Sequence, residues 1–144
     1  MMRRMLMGLA LAAALGCQLP ADQEAYRPLR EHGPRPKFDD MVSRARRQAD
    51  LALEASYNSN WGDLQDVAKA LEQTAQLLPG APEGPEAGRV EAVRRTSGDL
   101  KRDAAKLASA AREVNRLSGE EKEKKIKEVN DLVTSINKAV RTLK

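Results

Sequence analysis

The chain has 144 residues, of which 32% are charged and only 3% aromatic, and its formal net charge is +4. So few aromatic side chains leave almost no stacking platforms for sugars or bases. A single cysteine, Cys17, and a single histidine, His32, exclude an internal disulfide and a zinc site of the Cys/His type. Basic and acidic residues alternate along the predicted helices and do not collect on one face, so the basic excess does not indicate a nucleic-acid partner.

Residues 1–17 have the order of a secretion signal. Arg3 and Arg4 form a basic start, residues 5–15 are uncharged and mostly apolar, and Ala14-Leu15-Gly16-Cys17 supplies small residues at the cleavage point. The apolar run is shorter than the roughly 20 residues that a membrane-spanning helix needs. The sequence therefore predicts a cleaved signal peptide. Because the segment contains two arginines and no acidic residue, its removal lowers the formal net charge from +4 to +2.

The Ala-Leu-Gly-Cys ending resembles the lipobox of bacterial lipoproteins, with Ala14 where that family most often has leucine. The resemblance implies that Cys17 carries a diacylglycerol on its thiol and becomes the first residue of the mature chain. The expected location is then the cell envelope, facing the periplasm or the exterior, with the membrane as a partner through the lipid. In enterobacterial lipoproteins an aspartate after the cysteine favours the inner membrane, so Gln18 favours the outer membrane.

Residues 18–37 are predicted to form an extended, disordered linker. They have few large apolar residues and no helical or strand periodicity, and they contain four prolines: Pro20, Pro28, Pro34 and Pro36. Proline fixes the backbone and removes a hydrogen-bond donor, which favours a semi-rigid spacer. At about 3.1 Å per residue, such a spacer would hold the folded part up to about 60 Å from a bilayer.

Residues 38–144 are predicted to form an all-α domain, an antiparallel up-down-up-down four-helix bundle. Apolar residues recur at three- and four-residue steps in four segments, at about 38–57, 61–78, 86–116 and 119–143. Short connections between the first two and between the last two segments predict antiparallel neighbours. The longer, proline-rich connection at 79–85 separates the two hairpins.

The third and fourth segments carry heptad seams, which favour coiled-coil-like packing. The predicted seam residues of the third segment are Val90, Val93, Ser97, Leu100, Ala104, Leu107, Ala111 and Val114. Gly98 interrupts this segment and is interpreted as a point of close packing. Ser118 and Glu121 have the spacing of a capping box at the start of the fourth segment.

The layout of two hairpins with a proline-rich connection resembles the soluble b-type cytochromes and cytochrome c-prime. In the b-type family, a methionine near the start of helix one and a histidine near the end of helix four ligate haem. Phe38-Asp39-Asp40-Met41 places Met41 at the methionine position, but the last segment has no histidine and the chain has no Cys-x-x-Cys-His. The resemblance implies a haem-less bundle, in which Met41 is a ligand only if a haem site survives.

The sequence contains no recognisable catalytic or metal-binding set. His32 lies in the predicted linker, and there is no glycine-rich phosphate loop and no Ser/His/Asp constellation. These features predict a protein that is not an enzyme, has no cofactor or metal, and serves as a lipid-anchored interaction or adaptor module for a protein partner in the envelope.

Two alternatives remain open. One is a peptidoglycan-tethering structural lipoprotein, because Lys144 is similar to the lysine that joins the major small outer-membrane lipoprotein to peptidoglycan. The other is a bundle that binds haem or another small ligand.

Overall fold

The structure, a computed structural model, describes residues 21–144, which form five α-helices packed together. The helices are α1 (Ala21–Tyr26), α2 (Phe38–Tyr57), α3 (Trp61–Leu77), α4 (Val90–Val114) and α5 (Gly119–Thr142). Two 3₁₀ turns, Leu78–Gly80 and Ala87–Arg89, flank the connection between α3 and α4. The all-α prediction is confirmed. Among the described residues no helix is both long and apolar enough to cross a membrane. The predicted signal peptide lies outside the described residues.

The four long helices share one core. α2 contacts α3 and α5, and α4 contacts the same two helices. All predicted seam residues of α4 are buried except Val90, which is 50% exposed because it is the first residue of the helix. Polar contacts also join α5 to α2, since Asn137 Nδ2 donates to the Ala49 carbonyl at 3.1 Å and Ser56 Oγ donates to Asn130 Oδ1 at 2.7 Å.

The helix boundaries differ from the prediction mainly at the start of α4. The predicted start at residue 86 is wrong, because a 3₁₀ turn occupies Ala87–Arg89 and the α-helix begins at Val90. This turn follows Pro85 and contains Gly88, both poor formers of helix interior. At their carboxyl ends α3 and α5 each stop one residue earlier than predicted, and α4 stops two residues earlier.

The predicted capping box at α5 is also wrong. Ser118 is the N-cap residue, but its side chain makes no capping hydrogen bond. The next residue, Gly119, has φ of 58°, in the left-handed region that glycine adopts without steric cost. At α3, in contrast, Asn60 Oδ1 accepts a hydrogen bond from the Asp63 amide at 3.2 Å.

The prediction of an extended, disordered linker is wrong for residues 21–26, whereas residues 27–37 form no helix or strand and are hydrogen-bonded to the bundle at Leu29. Residues 21–26 form α1, which contacts both α2 and α3, and Ala25 is 5% exposed. The four prolines were misleading, since none lies inside α1 and Pro28 follows its end, where a missing amide donor costs little. Residues 18–20 lie outside the described residues.

Gly98 does not mark a close approach of helices. It lies on an exposed part of α4, and a Cβ placed there would have no atom within 4 Å beyond its own helix backbone and chain neighbours. The interpretation of Gly98 as a point of close packing is therefore wrong. The glycine lowers the stability of α4 without making a contact that would offset this cost.

We predict that Gly98→Ala raises the free energy of unfolding by about 0.5–1 kcal/mol, because alanine loses less backbone entropy in a helix. Gly119→Ala is the matched control. It adds the same methyl group at a positive φ and should lower stability by about 1 kcal/mol. Urea midpoints at constant slope measure both changes. A lower midpoint for Gly98→Ala would mean that this face of α4 is packed in solution.

Candidate functional site

Two side chains of α2 bind the carboxyl end of α1. Gln48 Nε2 donates to the Ala25 carbonyl at 2.9 Å. The Arg44 guanidinium donates to the Glu24 carbonyl at 3.2 Å and to the Arg27 carbonyl. Carbonyl groups at the end of a helix lack intrahelical partners, and a cation there offsets the negative end of the helix dipole. Arg44 and Gln48 therefore fix α1 against the bundle.

These two side chains are removed from water to different degrees. Gln48 is fully buried, and its Oε1 has no hydrogen-bond partner among the described residues. Arg44 is half-buried, and its Nε lies 3.3 Å from Thr74 Oγ1 of α3. Burial lowers the pKa of the Arg44 guanidinium, and the nearby Glu24 carboxylate acts in the opposite direction. A guanidinium nevertheless stays charged in proteins, so Arg44 contacts α1 as a cation.

The segment that follows α1, residues 27–37, is bound to the bundle at both ends, and we refer to it as the strap. Near its start, the Leu29 amide donates to Gln73 Oε1 at 2.7 Å, and Gln73 Nε2 donates to the Leu29 carbonyl at 3.2 Å. At its other end, the amide of Phe38 donates to the Pro82 carbonyl at 2.8 Å. The strap thus runs along the bundle from α3 to the α3–α4 connection.

A cleft of about 580 Å³ lies between the strap and helices α2 and α3. Its wall combines apolar side chains with cationic and amide groups. Lining residues include Leu29, Arg30, His32, Arg35, Met41, Gln73, Gln76 and Leu77. Volumes of roughly 300–1,000 Å³ are typical of small-molecule sites. The cleft is therefore large enough for a ligand.

The structure brings together two residues that the sequence analysis treated separately. Met41 is 1% exposed in the core, and it lines the cleft together with the exposed His32. Within residues 21–144 there is no group of three or more His, Cys, Asp or Glu residues that could bind a metal ion. Lys144 is exposed and follows the buried Leu143. The predicted lipidation site, Cys17, lies outside the described residues.

Sequence reasoning missed the residues that bind α1. Gln48 follows Met41 by seven residues and so lies on the apolar stripe of α2. A glutamine at a buried position needs a hydrogen-bond partner. Gln48 on this stripe could therefore have indicated that a polar group, here the Ala25 carbonyl, packs against α2. Arg44 and Gln73 gave no comparable signal, because charged and amide side chains at such positions are usually solvated.

Comparison of the chain with protein-family models, with curated proteins and with solved structures finds no match.

We predict that Gln48→Met weakens the attachment of α1, so that α1 and the strap detach more often, while the rest of the bundle stays folded. The substitution keeps the length of the side chain but removes the donor to the Ala25 carbonyl. Trypsin cleaves poorly before proline, so Arg30 and Lys37 are the sensitive sites of the strap. Cleavage at these two sites should become faster, which mass spectrometry of the early fragments measures.

Gln65→Met makes the same change on the half-buried side of α3, away from the strap, and should leave the cleavage rate unaltered. Equal rates in the two variants would contradict the role assigned to Gln48.

Proposed function

We propose that this chain is a non-enzymatic lipoprotein of the bacterial cell envelope, anchored through Cys17 and acting as an interaction or adaptor module. The observation that carries this proposal is the order of residues 1–17, a basic start, a short apolar run and Ala-Leu-Gly-Cys. The chain's only cysteine lies at the end of this pattern. The proposed partners are the membrane, through the lipid, and a protein of the envelope.

In this proposal the helical domain lies close to the membrane. Three residues separate Cys17 from the start of α1 at Ala21. At no more than about 3.6 Å per residue, the two Cα atoms lie within about 14 Å of each other. An adaptor with so short a connection binds its partner at the bilayer surface. An extended spacer of residues 18–37 would instead hold the domain far from the bilayer.

For the bundle itself we propose the antiparallel up-down-up-down arrangement of α2 to α5. The short connections 58–60 and 115–118 support this arrangement, because so few residues can only reverse the chain between neighbours. The surfaces available to a partner are then the outer faces of α4 and α5, which carry exposed pairs such as Arg94 with Glu91 and Lys124 with Glu120. Exposed pairs of this kind contribute little to stability and remain free to exchange partners.

Peptidoglycan tethering through Lys144 is the weaker alternative. Leu143 is buried, and its carbonyl accepts a hydrogen bond from Arg46 of α2. The residue before the lysine is therefore part of the packed domain, which does not favour attachment of Lys144 to the wall. Crosslinking in intact cells distinguishes the two functions, since an adaptor yields one dominant protein and a tether yields a muropeptide on Lys144.

A small-ligand function receives support from the cleft beneath the strap, which is lined by both His32 and Met41. Haem is a poor candidate, because Met41 is 1% exposed while His32 lies on the exposed strap. A stoichiometric haem complex with a sharp spectral shift would favour the haem alternative over the adaptor.

We predict that Cys17→Ser abolishes lipid attachment, because serine lacks the thiol to which the diacylglycerol is joined. The altered protein should accumulate as an unprocessed precursor or leave the membrane fraction. Intact mass and fractionation of cell extracts measure both outcomes.

Gln18→Ser is the control, since it introduces serine at the adjacent position and should leave the acyl mass in place. Unchanged processing and membrane association of Cys17→Ser would disprove the lipoprotein proposal.

A further inference from the structure

The cleft beneath the strap is amphipathic. Its lining includes the half-buried residues Leu29 and Leu77 and the exposed residues Arg30 and Arg35. Among its lining residues Glu31 is the one carboxylate. Guanidinium groups match phosphate oxygens in both charge and geometry. The chemistry of this cleft thus suits a molecule that is anionic at one end and apolar at the other.

The walls of the cleft are formed before any ligand binds. The strap is hydrogen-bonded at Leu29 to Gln73 and, at its far end, from Phe38 to Pro82. Two of the residues between these contacts are prolines, which restrict the backbone further. A ligand therefore does not have to order the strap on binding, which reduces the entropic cost of association.

The position of the cleft along the chain points to a membrane lipid. In the anchored protein, which is the protein of the proposed function, α1 begins within about 14 Å of the Cys17 Cα atom. α1 itself is about 9 Å long, and Leu29 follows it after two residues. The cleft thus lies within reach of the headgroups around the anchor.

Neighbouring carboxylates restrict where an anion can approach. Asp39 and Asp40 are exposed in the first turn of α2, and Glu83 pairs with Lys37 at 3.0 Å at the end of the strap. Among the lining residues of the cleft, the permanent cations are Arg30 and Arg35. Binding of an anion should accordingly depend on Arg30 and Arg35 more than on the net charge of the domain.

We infer that the cleft binds an anionic phospholipid, of the phosphatidylglycerol type, from the membrane that holds the Cys17 lipid. Arg30 and Arg35 contact the phosphate, and the side chains of Leu29 and Leu77 cover the glycerol and the first methylenes of the acyl chains. This contact turns α1 and the strap towards the bilayer. It leaves the outer faces of α4 and α5 exposed to the envelope.

The test uses the full acylated protein in vesicles that contain a photoactivatable phosphatidylglycerol, with mass spectrometry of the crosslinked peptides. We expect crosslinks in residues 29–36 and 73–81, and few of them with photoactivatable phosphatidylcholine. The double substitution Arg30→Gln and Arg35→Gln should lower the yield about tenfold, because each charge-assisted hydrogen bond contributes strongly to affinity. The control Arg95→Gln with Lys101→Gln removes two exposed charges from α4 and should not change the yield.

Three outcomes of this experiment test the cleft and the anchor separately. Crosslinks spread over α4 and α5, or a yield that the arginine substitutions do not change, would overturn the inference. Competition by inorganic phosphate at millimolar concentration would also overturn it, because it would identify a free anion as the ligand. The intact mass of the same sample reports the acyl group on Cys17, so a failure of the lipoprotein proposal is seen independently of the cleft.

Discussion

The attachment of α1 to α2 determines where residues 21–37 lie on the bundle. Gln48 and Arg44 donate hydrogen bonds to carbonyl groups at the end of a helix of six residues. Isolated helices of this length are not stable in water, so α1 depends on these contacts and on the burial of Ala25. Without them, residues 21–37 would revert to the spacer that their prolines suggest. The attachment also forms the strap and the cleft, because both begin where α1 ends.

The bundle could be predicted from the sequence because its core obeys one simple rule. Leu100, Leu107 and Val114 recur at seven residues, and such a pattern has few alternatives to helix packing. Val90 and Gly98 show the limits of the rule. Periodicity alone does not indicate that Val90 lies at a helix end, nor that the side of α4 carrying Gly98 has no neighbour.

The attachment of α1 could not be predicted in the same way. It depends on side-chain donors that meet backbone carbonyl groups across 23 residues of sequence, from Ala25 to Gln48. Backbone carbonyls are present at every residue, so the sequence does not show which of them will be bound. The only available sign was Gln48 on a mostly apolar stripe. The cleft could not be predicted either, because one of its walls is the strap, and the position of the strap depends on the attachment of α1.

The proposed anchor and the attached α1 together place the domain nearer to the bilayer than a long tether would. A spacer of 20 residues would let the domain search for partners far from the bilayer, whereas an attached α1 keeps the domain at the surface and limits its rotation. Restricted rotation suits a module that presents one face to a partner.

Amide hydrogen exchange of the whole protein tests the attachment of α1 and the strap to the bundle. If α1 and the strap are attached, the amides of Arg27 and Leu29, which donate to the Glu24 carbonyl and to Gln73 Oε1, exchange far more slowly than the same amides in a synthetic peptide of residues 18–37. Exchange at the rate of the free peptide, with α2 still protected, would contradict the attachment and would restore the extended spacer.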